Sequence, residues 1–248
     1  MPQYTANTYK KHLEKEHRLS PFSTYLKEIV YGANDGIITT FAVVAGFTGA
    51  QAMGSNTTLP FLTVLLFGIA NLFADGASMS LGNFLSIRAD QDVFRSEKEK
   101  ELHEIRNSTK MEEVETIHIL QTKGFNKKDA QAITNLYKKN EAYWVEFMMK
   151  DELEMTNPEG EIPMYNALAT FLAFISFGII PLLPYFFSRS VHAAFLFSST
   201  TAFLALVLLG FLRWRVTKRN ILNSIGEVIL VGGIAALIAY VVGTLIHI

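Results

Sequence analysis

The sequence predicts an all-α polytopic membrane protein with five transmembrane helices and a charged helical insert between the second and the third. Half of the 248 residues are hydrophobic and only 18% are charged, whereas soluble domains carry about a quarter charged residues. The charges are also segregated, because residues 36–74 and 162–188 contain none. Such runs exceed the roughly twenty apolar residues that cross a hydrocarbon core of about 30 Å. The absence of cysteine excludes disulfides and thiolate metal sites.

Five segments are expected to be the membrane spans. They cover residues 32–51, 60–87, 162–187, 191–212 and 226–247. Pro60 suits the first turn of the second span, and no helix breaker follows it until Asn107, so this helix is expected to continue beyond the membrane. Pro181 and Pro184 are expected to kink or end the third span.

Four parts follow from these spans. Residues 1–24 form a polar N-terminal tail. Residues 25–87 form the first two spans and, before them, an amphipathic lead-in that is expected to lie along the membrane interface. Residues 88–161 form the insert, and residues 162–248 carry the last three spans.

The orientation is predicted from the basic residues of the short loops. Four of them follow the fourth span, namely Arg213, Arg215, Lys218 and Arg219. Because cytoplasmic loops carry an excess of Lys and Arg, the N-terminus and the insert are expected in the cytoplasm. The C-terminus is then expected on the opposite side of the membrane.

The insert is acidic and helical. Residues 88–161 hold 12 Lys and Arg against 17 Asp and Glu, a balance that argues against nucleic acid and favours cations. Thr109 and Glu112 fit a capping box that opens one helix, Asn126 precedes a second helix, and Glu141 begins a third.

Seven residues of the insert have the spacing of a metal site. They are Glu101, Glu104, Glu112, Glu115, Met148, Met149 and Glu152. The first four form two pairs at i, i+3, so each pair projects to one side of a helix. Carboxylates alone suit Mg²⁺ or Ca²⁺, and thioethers beside Glu152 favour transition metals. The alternatives remain a solvated acidic face, a capping role for Glu112, and two core methionines.

Ionisable and polar groups also lie within the predicted spans, where they are functional candidates. Asp35 lies in the first span and Asp75 in the second. Asn71, Asp75 and Met79 share one helix face, which is expected to line a path. Asn71 has an alternative role as a hydrogen-bonding contact between helices. Glu227, at the beginning of the fifth span, is either a functional carboxylate or only a carboxylate near a helix N-terminus.

A di-iron carboxylate site is the rival constellation. Glu115 and His118 form a Glu-x-x-His motif of the kind found in di-iron bundles. Such a site needs a second motif on a facing helix, and the other one in the chain is Glu14 with His17 in the N-terminal tail.

Four stretches carry a resemblance to a known family. They are Tyr31-Gly-Ala-Asn-Asp35-Gly-Ile, Asp75-Gly-Ala-Ser-Met79-Ser-Leu-Gly-Asn-Phe-Leu-Ser, Trp144-Val-Glu-Phe-Met148-Met149-Lys-Asp-Glu152-Leu and Ile180-Pro-Leu-Leu-Pro-Tyr. The chain from about Tyr25 onwards resembles the vacuolar iron transporter family. The resemblance implies five spans, a homodimer, a cytoplasmic metal-binding domain, and export of Fe²⁺ and Mn²⁺ from the cytoplasm in exchange for protons.

By this resemblance the seven insert residues match the family's metal-domain ligands, and Asp35 and Met79 match its membrane path. Asn71 stands where plant and fungal members tend to have Glu, so either Asp75 takes over that carboxylate role or proton coupling differs. The resemblance implies no prosthetic group and no enzymatic activity. Metal ions, protons, the lipid bilayer and a second copy of the chain are the implied partners, without nucleic acid.

Two alternatives to transport follow from the same residues. A membrane-anchored ferritin-like or di-iron protein would oxidise or store iron. A scaffold would use the acidic insert to bind a protein, but it leaves the carboxylates within the spans unexplained. A bacterial inner membrane is the favoured location, with the vacuolar membrane as the location in a eukaryote.

Overall fold

The computed structural model describes residues 6–12, 15–16, 20–52, 61–188, 190–218 and 220–245, and all regular structure in these ranges is helical. Two compact units form, one from Met1–Asn83 with Met164–Ile248 and the other from Phe84–Pro163. The α-helices are α1 (Ala6–His12), α2 (Pro21–Thr24), α3 (Leu26–Ala52), α4 (Phe61–Asn107), α5 (Thr109–Thr122), α6 (Lys127–Tyr137), α7 (Glu141–Asp151), α8 (Pro163–Gly178), α9 (Leu183–Phe187), α10 (Val191–Thr217) and α11 (Ile221–Leu245).

Five helical segments are long and apolar enough to cross a membrane. They are Leu26–Thr48, Leu62–Asn107, Pro163–Phe187, His192–Thr217 and Ile221–Ile238. The predicted all-α, five-span membrane fold is confirmed at this level. The segment between the first two predicted spans falls mostly on residues 53–60, which lie outside the described residues.

The first span differs from its prediction at its beginning. Residues 26–31 are the first turns of α3 and not a separate interfacial segment. The helix continues because no breaker interrupts it and because Glu28 is buried, with its Oε1 accepting a hydrogen bond from Asn166 Nδ2 of α8 at 3.1 Å.

Helix α3 packs closely on α8 through two glycines. A Cβ atom on Gly32 would lie 2.5 Å from the Thr170 carbonyl oxygen, and one on Gly36 would meet the Phe174 carbonyl oxygen. Small residues at i, i+4 allow such close backbone approach between membrane helices. The pairing of Glu28 with Asn166 continues the same four-residue register, so α3 and α8 run in the same direction.

Replacing Gly36 with Ala is expected to destabilise the membrane bundle, because the added methyl group has backbone as its neighbour and nothing there can rotate away. Overpacking of this kind costs about 1–3 kcal/mol. The thermal unfolding midpoint of the purified protein in detergent is expected to fall by several degrees. Gly46→Ala on the same helix is the matched control, since a Cβ atom there meets nothing within 4 Å. Equal midpoints for the two variants would contradict this packing.

The third span ends as its prolines predict. Helix α8 stops at Gly178, a 3₁₀ turn covers Ile180–Leu182, and α9 follows. Ser198 of α10 donates a 2.7 Å hydrogen bond to the Pro181 carbonyl oxygen, so one freed backbone acceptor at the break has a partner.

The second unit is a small helical domain with its own core. Phe94 and Ile105 of α4, Leu120 of α5 and Trp144 and Met148 of α7 are among its buried residues. Ion pairs tie its helices at the periphery. They join Arg106 to Glu141, Lys123 to Asp151 and Lys138 to Glu113.

The predicted capping box at Thr109 is wrong. Helix α5 begins after Ser108, whose side chain makes no capping bond, and the Thr109 hydroxyl donates to the Ile105 carbonyl oxygen of α4 at 2.6 Å. Glu112 is therefore free to point elsewhere, and it is buried. By contrast, Asn126 caps α6 as predicted, since its Oδ1 accepts a hydrogen bond from the Asp129 N–H.

Candidate metal centre

Three glutamates of the second unit meet at one point. Glu101 lies on α4, Glu112 lies on α5, and Glu152 follows the last turn of α7. One oxygen from each carboxyl group lies within 4.8 Å of the other two. Glu101 and Glu112 are each only 3% exposed, whereas Glu152 is exposed.

One oxygen atom in each of the two buried carboxyl groups has no hydrogen-bond partner in the part of the chain that the structure describes. Glu101 Oε1 and Glu112 Oε2 are buried without a hydrogen-bond donor among the described residues. Arg106 and Lys138 of the same unit pair with Glu141 and Glu113. Because it is costly to ionise buried groups that have no partner, these carboxyl groups tend to stay protonated without metal, and a bound cation would stabilise their ionised forms.

Burial and mutual repulsion hold protons on this cluster. Burial, followed by the neighbouring charges of Glu112 and Glu152, raises the pKa of Glu101 to about 8. Burial and the Glu115 charge raise the pKa of Glu112 to about 7. Burial, Glu115 and Glu104 raise the pKa of Glu152. The negative charges of Glu104 and Glu115 thus act on this cluster, although only Glu101, Glu112 and Glu152 have oxygens at the meeting point.

The spacing of the three oxygens fits a divalent ion. Carboxylate oxygens bind such ions at about 2.0–2.6 Å, so oxygens on opposite sides of one ion are about 4–5 Å apart. Three carboxylates with separations up to 4.8 Å can share one ion after small side-chain rotations. Binding the ion would replace the protons that burial holds on Glu101 and Glu112.

Met148 and Met149 are core residues of the same unit. They are 0% and 1% exposed, and the Thr116 hydroxyl donates to the Met148 sulfur at 3.3 Å. Trp144 Nε1 in turn donates to the Thr116 oxygen at 2.7 Å. Both sulfur atoms thus lie in the core, as the core-methionine alternative expects. A role for them as metal ligands stays a prediction.

The bend after α7 fixes the position of Glu152. Glu154 has a left-handed backbone with φ 52°, which lets the Met155 N–H return to the Met149 carbonyl oxygen at 3.0 Å. The Glu152 N–H donates to the Met148 carbonyl oxygen at 2.9 Å. The carboxylate is thus tied to the buried methionine pair through the backbone.

Removing the Thr116 hydroxyl is expected to destabilise this unit. In Thr116→Val the indole N–H of Trp144 loses its acceptor in a buried position, which costs about 1–3 kcal/mol. The unfolding midpoint followed by Trp144 fluorescence is expected to fall in a Trp214→Phe background, since the chain has only 2 tryptophans. Thr122→Val is the control, because its exposed hydroxyl bonds only the Ile119 carbonyl oxygen among the described residues. A midpoint unchanged in Thr116→Val would refute the buried role of this hydroxyl.

The di-iron alternative finds no support in the cluster. His103 and His118 are exposed, and the cluster of described carboxylates contains no histidine. The second motif, Glu14 with His17, lies outside the described residues.

The predicted membrane residues lie in the first unit. Asn71 Nδ2 donates a 2.6 Å hydrogen bond to Asp75 Oδ2 on α4. Asp35 is partly buried on α3. Met79 packs against a core cluster that includes Leu72 and Phe174. The structure therefore brings Asp75 to Asn71, and places Met79 among apolar side chains.

Two polar contacts of this unit were missed in the sequence. Glu28 is a buried carboxylate, and its position among apolar residues of the lead-in was the available signal. Arg213 and Arg215 lie within α10 and not in a loop. Arg213 Nη1 pairs with Glu227 Oε2 of α11 at 2.6 Å. Arg219 lies outside the described residues.

These features define a class: a multi-pass helical membrane protein that carries a buried carboxylate cluster in a separate helical unit. The profile of the VIT family matches residues 26–244, and the chain belongs to this family. The resemblance seen in its motifs is thereby confirmed.

Curated relatives cover nearly the whole chain. It is 34% identical to the vacuolar iron transporter of Toxoplasma gondii over 242 residues, which is 94% of this chain and 78% of that protein. It is 31% identical to vacuolar iron transporter 1 of Tulipa gesneriana, with 93% and 91% covered. For vacuolar iron transporter 1 of Arabidopsis thaliana the identity is 30%, with 87% and 83% covered.

Proposed function

We propose that this protein transports Fe²⁺ across a membrane, with Mn²⁺ as a second substrate, in exchange for protons. The observation that carries the proposal is the meeting of Glu101, Glu112 and Glu152 without a paired cation among the described residues. The names of the relatives point to iron as the metal.

The carboxylate cluster would capture the ion. Its acidic surroundings raise the local concentration of cations, and Glu104 and Glu115 add negative charge beside the three meeting groups. Met148 and Met149 would select transition metals if a side-chain rotation brought a sulfur to the ion, because soft ligands disfavour Mg²⁺ and Ca²⁺.

The first unit would carry the ion through the membrane. Asp35 and Met79 would bind it along the path in each copy of a homodimer, near the two-fold axis. Asp75, hydrogen-bonded by Asn71, would exchange protons in place of the glutamate that other members have one turn earlier. Glu227, which pairs with Arg213, is a second candidate for proton exchange.

The direction of transport would be out of the cytoplasm. The basic residues at the end of α10 favour a cytoplasmic position for this end of the helix, and hence for the N-terminus and the second unit. A bacterial inner membrane is the proposed location, and the vacuolar membrane is the counterpart in a eukaryote.

Anaerobic Fe²⁺ uptake into proteoliposomes tests this function. The purified protein is expected to carry Fe²⁺ to an internal metal-quenched dye, with protein-free vesicles as the control. Oxygen consumption is measured in parallel with Fe²⁺ in air. Oxygen-dependent Fe²⁺ oxidation without uptake would replace transport by the ferritin-like alternative.

Metal binding is expected to release protons, and the number should depend on pH. With a pKa of about 8 for Glu101 and about 7 for Glu112, both groups are largely protonated at pH 6, so about two protons leave per ion. Near pH 9 both are ionised and about none leave. Calorimetry with Mn²⁺ in buffers of different ionisation enthalpy measures this number, and a value independent of pH would contradict the assigned cluster.

A further inference from the structure

A cavity in the first unit is lined by neither Asp35 nor Asp75 and by no residue of the carboxylate cluster. Its volume is about 650 Å³, within the range of about 300–1,000 Å³ that holds small ligands. It lies between the beginning of α3, the end of α10 and the beginning of α11. All three helices belong to candidate membrane spans.

The polar groups of this cavity favour an anion. Lys27 and Arg213 line it, with Glu227 as the lining carboxylate. Arg213 pairs with Glu227, but a guanidinium has five N–H donors, more than one carboxylate uses. Lys27 is exposed and makes no ion pair within the described ranges. The lining therefore has one positive charge in excess.

The remaining walls suit the upper part of a lipid. Val30, Val228 and Val231 give apolar lining, which acyl chains would contact. Tyr31, with 62% of its surface exposed, lines the same cavity, and tyrosines are enriched where membrane helices meet head groups. The buried Oδ1 of Asn34 lacks a donor among the described residues, and a head-group hydroxyl would supply one.

We propose that this cavity binds an anionic phospholipid of the bilayer. The phosphate would lie against Lys27 and Arg213, and a head-group hydroxyl would donate to Asn34 Oδ1. Basic pockets between membrane helices bind anionic head groups in this way. A free phosphate would satisfy the two cations but would leave the apolar walls uncovered.

Lipid binding to the purified full-length protein tests the site by native mass spectrometry. Phosphatidylglycerol and phosphatidylcholine with the same acyl chains are compared, and wild type is expected to bind phosphatidylglycerol more tightly. Lys27→Gln and Arg213→Gln are each expected to weaken that binding about fivefold, the effect of one basic residue at the membrane surface. Lys27→Gln keeps the Arg213–Glu227 pair, so it also tests the site without disturbing the helix contact.

Arg215→Gln is the matched control, because Arg215 is exposed on the same helix and does not line the cavity. Its phosphatidylglycerol affinity is expected to equal that of wild type. Equal affinity of wild type for both lipids would overturn the proposal, as would an equal loss in Arg215→Gln and Lys27→Gln. Complete displacement of the lipid by millimolar inorganic phosphate would also overturn it and would identify a site for free phosphate.

Discussion

Asp35→Asn is expected to reduce Fe²⁺ flux in proteoliposomes to the level of protein-free vesicles. The substitution keeps the shape of the side chain but removes the charge that is proposed to bind the ion within the membrane. Asp35 is partly buried within a candidate span, where an ionised carboxylate is costly unless it has a partner. Loss of this charge would therefore remove the proposed ligand.

The loss must be separated from misfolding. The oligomeric state and unfolding midpoint of Asp35→Asn are expected to match wild type, and its metal binding at the carboxylate cluster should be unchanged. Thr200→Val is the control for removing a polar group from a span, since its exposed hydroxyl bonds only the Leu196 carbonyl oxygen among the described residues. Wild-type flux in a well-folded Asp35→Asn protein would refute the path.

The double substitution Glu101→Gln with Glu112→Gln is expected to weaken Fe²⁺ and Mn²⁺ binding at the cluster by at least about tenfold, which is the loss caused even by removing outer partners of metal ligands. Both side chains are buried and keep their size, so the loss would come from charge. Calorimetry under anaerobic conditions measures the affinity. Flux at low metal concentration is expected to fall with it, and flux at saturating metal is expected to fall less.

The same double variant is expected to change how the stability of the metal-free protein depends on pH. Folding raises the pKa of Glu101 to about 8 and that of Glu112 to about 7. The stabilisation from these groups is therefore fully present at pH values below their pKa values in the unfolded chain. It is lost as the pH rises through 7 and 8. The unfolding midpoint of the metal-free wild type should fall as the pH is raised to 8, and the midpoint of the double variant should fall less.

Glu99→Gln is the control for the double variant, because Glu99 is exposed on the same helix as Glu101. It is expected to retain wild-type affinity and the wild-type pH dependence of the unfolding midpoint. Equal affinities for the double variant and Glu99→Gln would place the metal site elsewhere.

The spans and the site residues were open to prediction because each depends on a local pattern. Uncharged runs identify membrane helices, Pro181 and Pro184 mark the break in the third span, and helical spacing groups the glutamates of each helix. The family motifs singled out Met148, Met149 and Glu152 as a unit.

The remaining features depend on contacts between distant segments. Thr109 and Glu112 have the spacing of a capping box, yet Ser108 precedes the helix and Glu112 turns towards Glu101. Burial of Glu28 requires Asn166 of another helix, and the Arg213–Glu227 pair joins two helices. No local period shows which carboxyl groups will share a buried site.

Metal–proton exchange by this protein is tested most directly by measuring metal and proton movement together. Proteoliposomes containing wild-type protein, an internal pH dye and an internal metal-quenched dye are given external Fe²⁺ under anaerobic conditions. An acidic interior is expected to accelerate Fe²⁺ entry, and Fe²⁺ entry is expected to raise the internal pH, with both responses absent in Asp35→Asn. Fe²⁺ entry that ignores the pH gradient and leaves the internal pH unchanged would contradict metal–proton exchange.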